Sequence, residues 1–293
     1  MHRILNNGLI LLDRPRSGGE NMLLDEQMLA AAAEFDRPLL RVYQWSRPTL
    51  SLGYFQKYAD RLKHAPSVDI EVVRRATGGG AIVHHHEWTY ALALPNSAMG
   101  ARGNTSGHFG VGASQAVYDC IHTTVVEWLT ELGICAAMFP NRKVPEGSAE
   151  LVNFGALQQA APSCVAPCSF LCFERRSKGD VVAGSATLAG QTKVMGSAQR
   201  RSKGALLQHG SLLLARSPHA PTLPGLMQLG VSLPHFSRSE FPTRLCRAVT
   251  ALTGKQFNEA DHVCELLGRG SKESLAQFGV AGKYTHVTWV GGR

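Results

Sequence analysis

Apolar residues recur every three or four positions in two stretches of the chain and alternate or run together in several others, so helices and strands are both expected. After the Gly18-Gly19 break, Leu24, Met28, Ala31 and Phe35 mark one face of a helix that Asn21 can cap. Val117, Ile121, Val125, Trp128 and Leu132 mark a longer helix, led into by a glycine-rich stretch over 98–112 and stopped by Gly133. Strand-like runs occupy 39–45, 49–54, 68–73 and 88–94, punctuated by Pro38, Pro48, Pro66 and Pro95. A short run, Ala81-Ile82-Val83, follows three consecutive glycines, and further strands are expected at 180–183, 193–198 and 205–214.

From 139 to 167 no period holds, and an extended loop over the surface or the site is expected. Beyond Leu214 the pattern changes to short helices capped by Ser239, Asn258 and Ser271. The expected organisation is a body over residues 1–215 and a helical C-terminal appendage over 216–293, with no internal repeat.

A chain of 293 residues with 44% hydrophobic positions can bury one large core, which excludes disorder as the main state. No run approaches 18 consecutive apolar residues, so no transmembrane helix is expected. The apolar run at 8–12 is too short for the core of a signal peptide. Seven cysteines without a CxxC pair argue against a disulfide scaffold or a zinc ribbon, and reducing cytoplasm is the expected compartment. The net charge of +8 suits an acidic partner or an anionic substrate. That charge is spread along the chain rather than gathered in an arm, so neither nucleic acid nor a membrane is an expected partner.

Residues 74–84 join two cations to a glycine loop at the end of a strand. Gly78, Gly79 and Gly80 let backbone N–H groups approach an anion or a carbonyl, while Arg74 and Arg75 can neutralise phosphate or carboxylate. A tight turn with two surface arginines would read the same way. The spacing is neither that of the GxxxxGK[ST] phosphate loop nor that of the GxGxxG dinucleotide fingerprint.

Lys193 stands on a strand that leads into a small-residue turn, Gly196-Ser197-Ala198. Aimed into a desolvated pocket it could hold a carboxylate or polarise a thioester carbonyl; at the surface it would be an ordinary lysine. Residues 205–214 set Gln208, His209 and Ser211 in an apolar run, either as satisfied core groups or as a pocket wall. Cys164, Cys168 and Cys172 are four apart, but Pro167 breaks the helix that would align them. A single nucleophilic cysteine is therefore the better reading than a metal triad. His84, His85 and His86 alternate faces on a strand and cannot share one metal, so no metal site is expected.

In chain order, several segments resemble the biotin/lipoate protein ligase superfamily. Residues 21–26 resemble its opening helix, and 41–45 with 49–56 its first strand pair. Residues 74–84, followed by Glu87, Thr89 and Tyr90, resemble its RR-x-[ST]-G-G loop. Residues 193–199 resemble its K-[VI]-x-G-S-A-Q strand, 207–213 its LQHGS strand, and Lys283-Tyr284 with Trp289 its C-terminal ending. Within the superfamily, Cys172-Phe173 upstream of the lysine strand resembles the cysteine-dependent octanoyl-[acyl carrier protein]:protein octanoyltransferase type.

The resemblance implies an α+β fold of the class II aminoacyl-tRNA synthetase/biotin synthetase type, a mixed sheet flanked by helices with the acyl chain in a tunnel. It implies transfer of an octanoyl group from acyl carrier protein to a lysine of a lipoyl domain, such as the glycine-cleavage H protein. Cys172 would be the nucleophile, with Cys168 as the alternative, and Lys193 would orient the acyl carbonyl. Arg74, Arg75, Gly78, Gly79, Gly80, His84, Gly196, Ser197, Ala198, His209 and Gly210 would surround the substrate, and no cofactor would be needed. Three other readings stand beside it. They are an ATP-dependent lipoate ligase using ATP and magnesium, toward which Gly80 leans, an amidotransferase acting between two lipoyl domains, and a silent binding module on the same scaffold.

Overall fold

The computed structural model describes residues 7–102, 110–140, 169–185, 190–202, 204–232 and 239–268. Strand β1 (Gly8–Leu12) leads into helix α1 (Gly18–Phe35), then β2 (Leu39–Tyr43), β3 (Thr49–Leu52), β4 (Glu71–Arg74), β5 (Ile82–His84) and β6 (Glu87–Pro95). Helix α2 (Val111–Glu131) precedes β7 (Ala136–Met138), β8 (Val181–Gly184), β9 (Gln191–Ser202) and β10 (Ala205–Leu213). Helix α3 (Glu240–Thr253), β11 (Phe257–Glu259) and α4 (Val263–Leu266) follow.

Helix α1 begins a turn earlier than its apolar spacing suggests, because a capping box sets its start. The Ser17 hydroxyl accepts from the Glu20 N–H, and the Glu20 carboxylate takes the Ser17 N–H at 3.0 Å. Asn21 is therefore not the cap; it lies buried, and its Oδ1 accepts from Arg41 at 2.7 Å.

Eight strands form one mixed sheet in the order β11-β1-β2-β6-β10-β9-β8-β7, and β4-β3-β5 form a smaller one. Pairing is parallel at the β11-β1-β2 edge and antiparallel through the rest of the large sheet. This is the mixed sheet with flanking helices that the resemblance implied. Helices α2 and α3 cover one face, where Trp128 stacks on Phe241, and α1 covers the other with Met22, Leu24 and Met28. A third apolar cluster joins Leu50, Leu52 and Val83 of the small sheet to Leu171 and Phe173.

Two local expectations change. The residues after Lys193 do not turn; β9 continues to Ser202, paired residue by residue with β10 from Leu212↔Met195 to Ala205↔Ser202. The C-terminal part is not wholly helical either. Asn258 sits in β11, which pairs with β1 through Gly8↔Phe257, and α3 sets Phe241, Leu245 and Val249 into the α2 core. Among the described residues, the core is continuous across the expected division at 215. Ser239 precedes α3 without a side-chain capping bond. Ser271, Lys283, Tyr284 and Trp289 lie outside the described residues, as do Cys164, Cys168 and most of the stretch 139–167.

A buried ionic chain runs beneath β2. Asp13 accepts from Arg16 at 2.7 Å and from Arg41 at 2.8 Å, and Arg41 lies 3.7 Å from Asp25. Burial pushes the Asp13 carboxyl up, but the two guanidiniums outweigh it and hold the group below its ordinary 3.8. Its stabilisation is therefore present above pH 3.8 and lost as pH falls through the lower folded value. Arg41→Met should cost about 3–5 kcal/mol, because it strips buried carboxylates of a partner. A smaller loss of urea midpoint, under about 1 kcal/mol, would show that the chain is not held by that charge.

Candidate active site

The sheet, the glycine loop and the segment after residue 168 converge on one cavity of about 530 Å³, including its mouth. Met22, Tyr43, Trp45, Ile82 and Phe173 give it apolar walls. Cys172 lies on the wall at a short turn, placed there by backbone bonds to β5's leading residue. The Cys172 N–H donates to the Ala81 carbonyl at 2.7 Å, and the Ala81 N–H donates to the Phe170 carbonyl at 3.1 Å.

Gly80 is small because this strand-like contact is tight. A side chain there would collide with the Arg175 guanidinium and press on the Cys172 backbone N and Cα at 3.2 Å. Across the cavity, Lys193 of β9 is 3% exposed, and its Nζ donates to Cys172 Sγ at 3.6 Å. The same ammonium pairs with buried Asp180 at 2.9 Å and lies 5.0 Å from the Phe173 ring centre. Gly196 leaves room for that path, since a Cβ at 196 would sit 2.6 Å from Lys193 Cε.

The two arginines of the glycine loop do different work from the one read in the sequence. Arg74 does not line the cavity; its Nη1 donates to the carbonyls of Gly53, Tyr54 and Gln56 at 3.0, 3.1 and 2.6 Å. Arg75 does line it, but its guanidinium fastens the loop, donating to the carbonyls of Ser51, Gly78 and Gly80 at 2.9, 2.8 and 2.6 Å. Burial pushes Arg75 down to about 10, against the opposing pull of Cys172, so it remains a cation near neutral pH. Two buried cations, Arg75 and Lys193, thus stand beside Cys172.

The polar wall is built from buried hydrogen-bonded units. His84 is held between Glu87 at 2.6 Å and the Ser51 hydroxyl at 2.7 Å, with its ring stacked 3.9 Å from Trp45. Thr89 and Ser211 also donate to Glu87, at 2.6 and 2.8 Å. His209 is held between Asp25 at 2.8 Å and the Thr77 hydroxyl at 2.6 Å. His85 and His86 lie beyond β5 and stack on each other at 3.6 Å rather than alternating across a strand. Among the described residues, no cluster of His, Cys, Asp and Glu is arranged to hold a metal, and no helix is long and apolar enough to cross a membrane.

Of the residues expected to surround a substrate, Cys172, Arg75, Gly78, Gly79, His84, Gly196, Ser197, Ala198, His209 and Gly210 line the cavity. Lys193 reaches it through its contact with the Cys172 sulfur, whereas Arg74 and Gly80 act from behind the wall. Sequence reasoning passed over Asp180 and His122. Each carries a faint signal: an acid immediately before a wholly apolar strand, and a histidine beside Ile121 on the buried stripe of α2.

The lipoyl protein ligase A/B catalytic domain family matches residues 17–220. The octanoyltransferase LipM of Kyrpidia tusciae is 35% identical over 213 residues, covering 70% of this chain and 65% of its own length. LipM of Carboxydothermus hydrogenoformans is 33% identical over 201 residues, covering 68% and 61%. The matched part of this chain therefore spans less than two thirds of the length of these curated relatives.

A T. acidophilum lipoate protein ligase with bound lipoic acid shares the fold, with a TM-score of 0.61 at 19% identity over 98% of this chain and 100% of that one. Lipoate-protein ligase A bound with ATP aligns at a TM-score of 0.56 and 20% identity, covering 89% and 93%. The family match runs from the cap of α1 past the end of β10 and contains every residue of the cavity wall, so this chain belongs to the lipoyl protein ligase A/B catalytic domain family.

Proposed function

We propose that the protein transfers an octanoyl group from acyl carrier protein to a lysine of a lipoyl domain, through a thioester on Cys172, in lipoate assembly. The observation that carries the reading is the Lys193 ammonium, 3.6 Å from the Cys172 sulfur inside an apolar-walled cavity. The sulfur attacks the donor thioester carbonyl, the carrier's thiol leaves with the cysteine proton, and the acyl group rests on Cys172. The target lysine then enters as a neutral amine and forms the C–N bond. The C–S bond breaks, and the second amine proton returns to the cysteine sulfur.

Lys193, held by Asp180, orients the carbonyl as charge builds on its oxygen. Past Met195, β9 has no β8 partner, and residues 196–198 line the cavity. The apolar walls suit an eight-carbon chain, and the net charge of +8 favours acidic carrier domains as donor and acceptor.

Because the donor thioester is already activated, this reading needs neither ATP nor magnesium. Gly80, which leaned toward a ligase, is also compatible with this reading, since it leaves room for the Cys172 backbone. The glycine-cleavage H protein is the acceptor to test first. Octanoyl-acyl carrier protein and that acceptor, mixed with the enzyme in reducing buffer without ATP, should yield an octanoyl amide on one acceptor lysine. Product formed only from free acid plus ATP would favour the ligase instead. Product formed only from an already lipoylated domain would favour the amidotransferase.

A further inference from the structure

Phe55 is the most exposed large apolar side chain among the described residues, at 79%, yet it stands on a fixed loop. The buried Arg74 guanidinium holds the carbonyls on both sides of it, those of Gly53 and Tyr54 before it and that of Gln56 after it. The Gln56 side chain accepts from the Gly53 N–H at 2.9 Å, and the Gln56 N–H donates back to the Gly53 carbonyl at 3.0 Å. The Tyr54 ring meets the Phe55 ring edge to face at 5.0 Å. A single exposed phenylalanine on a loose loop would need no explanation. One whose backbone is held by a buried cation is a preorganised contact, because the entropy of ordering it is already lost before a partner arrives.

The loop lies against the mouth of the cavity. The Tyr54 N–H donates to the Thr77 carbonyl at 2.9 Å, and Gly53 packs so closely on Gly79 that a Cβ at 53 would collide with the Gly79 carbonyl oxygen. Of the residues that line the cavity, Gly79 is the exposed one, so it marks where the cavity opens to solvent. Phe55 follows Gly53 by two residues, and their Cα atoms are at most about 7 Å apart. The charge that flanks Phe55 is positive, since Lys57 is exposed and Asp60 is already paired with Lys63 at 2.6 Å.

We propose that Phe55 is the anchor on which the enzyme docks the acceptor protein, an acidic lipoyl domain, rather than the acyl donor. The choice follows from tether length. A lysine side chain puts its amine about 6 Å from its own backbone, so the body of the acceptor must come down onto the rim for that amine to reach Cys172. The donor's acyl group travels on a phosphopantetheine arm several times as long, and the carrier's body can stay clear of the rim. Phe55 packs on apolar surface beside the target lysine, while Lys57 faces the carboxylates of the acceptor. Arg74 is a positioning residue that holds the loop in place for this contact. The inference rests on the reading above for the identity of the acceptor, and not for the thioester on Cys172.

The test uses unmodified glycine-cleavage H protein as acceptor and reads the two half-reactions separately. Loading of the enzyme from octanoyl-acyl carrier protein should proceed at the wild-type rate in Phe55→Ala and Phe55→Glu. Transfer from the loaded enzyme to H protein should fall at least about tenfold in kcat/KM for Phe55→Ala, the effect of one aromatic anchor lost. The loss should appear in the H-protein concentration required and not in the limiting rate. Phe55→Glu should fall further, because it sets a carboxylate against an acidic surface, and Phe55→Tyr should transfer like wild type. The side chain is exposed, so thermal unfolding should be the same in all three. Unchanged transfer in Phe55→Ala, or loading that falls as much as transfer, overturns the inference and leaves the acyl-transfer reading standing. If wild type never loads, that reading fails, and calorimetric titration of H protein onto the unloaded enzyme decides the docking. The affinity should drop about tenfold in Phe55→Ala; an unchanged affinity, or no binding by wild type, overturns it.

Discussion

Cys172→Ala is expected to lower octanoyl transfer by about 10⁴-fold or more, because the change removes the atom to which the acyl group is bonded between donor and acceptor. The fold should survive. Cys172 is half-buried, its backbone bond to Ala81 does not involve the side chain, and Lys193 keeps its partner Asp180 when the sulfur is gone. The check is kcat/KM with octanoyl-acyl carrier protein and a lipoyl domain, alongside thermal unfolding. A loss of less than tenfold with an intact fold would mean that the acyl group is carried elsewhere.

Lys193→Met should lower transfer by about 10²–10³-fold through loss of the charge that meets the developing oxyanion. It should also destabilise the protein by about 3–5 kcal/mol, because buried Asp180 is left as an unpaired carboxylate. The two effects can be separated. Adding Asp180→Asn to Lys193→Met removes the stranded charge, so stability should return while activity does not. If activity returns with stability, Lys193 is a structural cation and the oxyanion is held elsewhere.

Much of this site was legible because its residues are close in sequence to strong backbone signals. Gly78 and Gly79 of the glycine loop, the 196–198 end of the lysine strand, and His209 and Ser211 of the 205–214 run all meet at the cavity. What could not be read was direction. Nothing in the order of Arg74 and Arg75 tells that one faces three carbonyls behind the wall while the other faces the cysteine. Nor does the spacing after Lys193 distinguish a turn from a strand, since Gly196-Ser197-Ala198 suits either, and the pairing with β10 decides.

The same limit applied to the tail, where Asn258 reads as a helix cap until β1 supplies a parallel neighbour. Asp180 and His122 lie far in sequence from what they contact. His122 meets Ser197 across 75 residues, and only the packing of α2 against the sheet brings them together.

The most direct measurement of the central claim is intact mass spectrometry of the wild-type protein after mixing with octanoyl-acyl carrier protein, without ATP, followed by peptide mapping. One hydroxylamine-labile octanoyl group on the peptide position of Cys172 is the predicted result. An adduct on Cys168, or no adduct together with an octanoyl-adenylate formed from free octanoate and ATP, would contradict it.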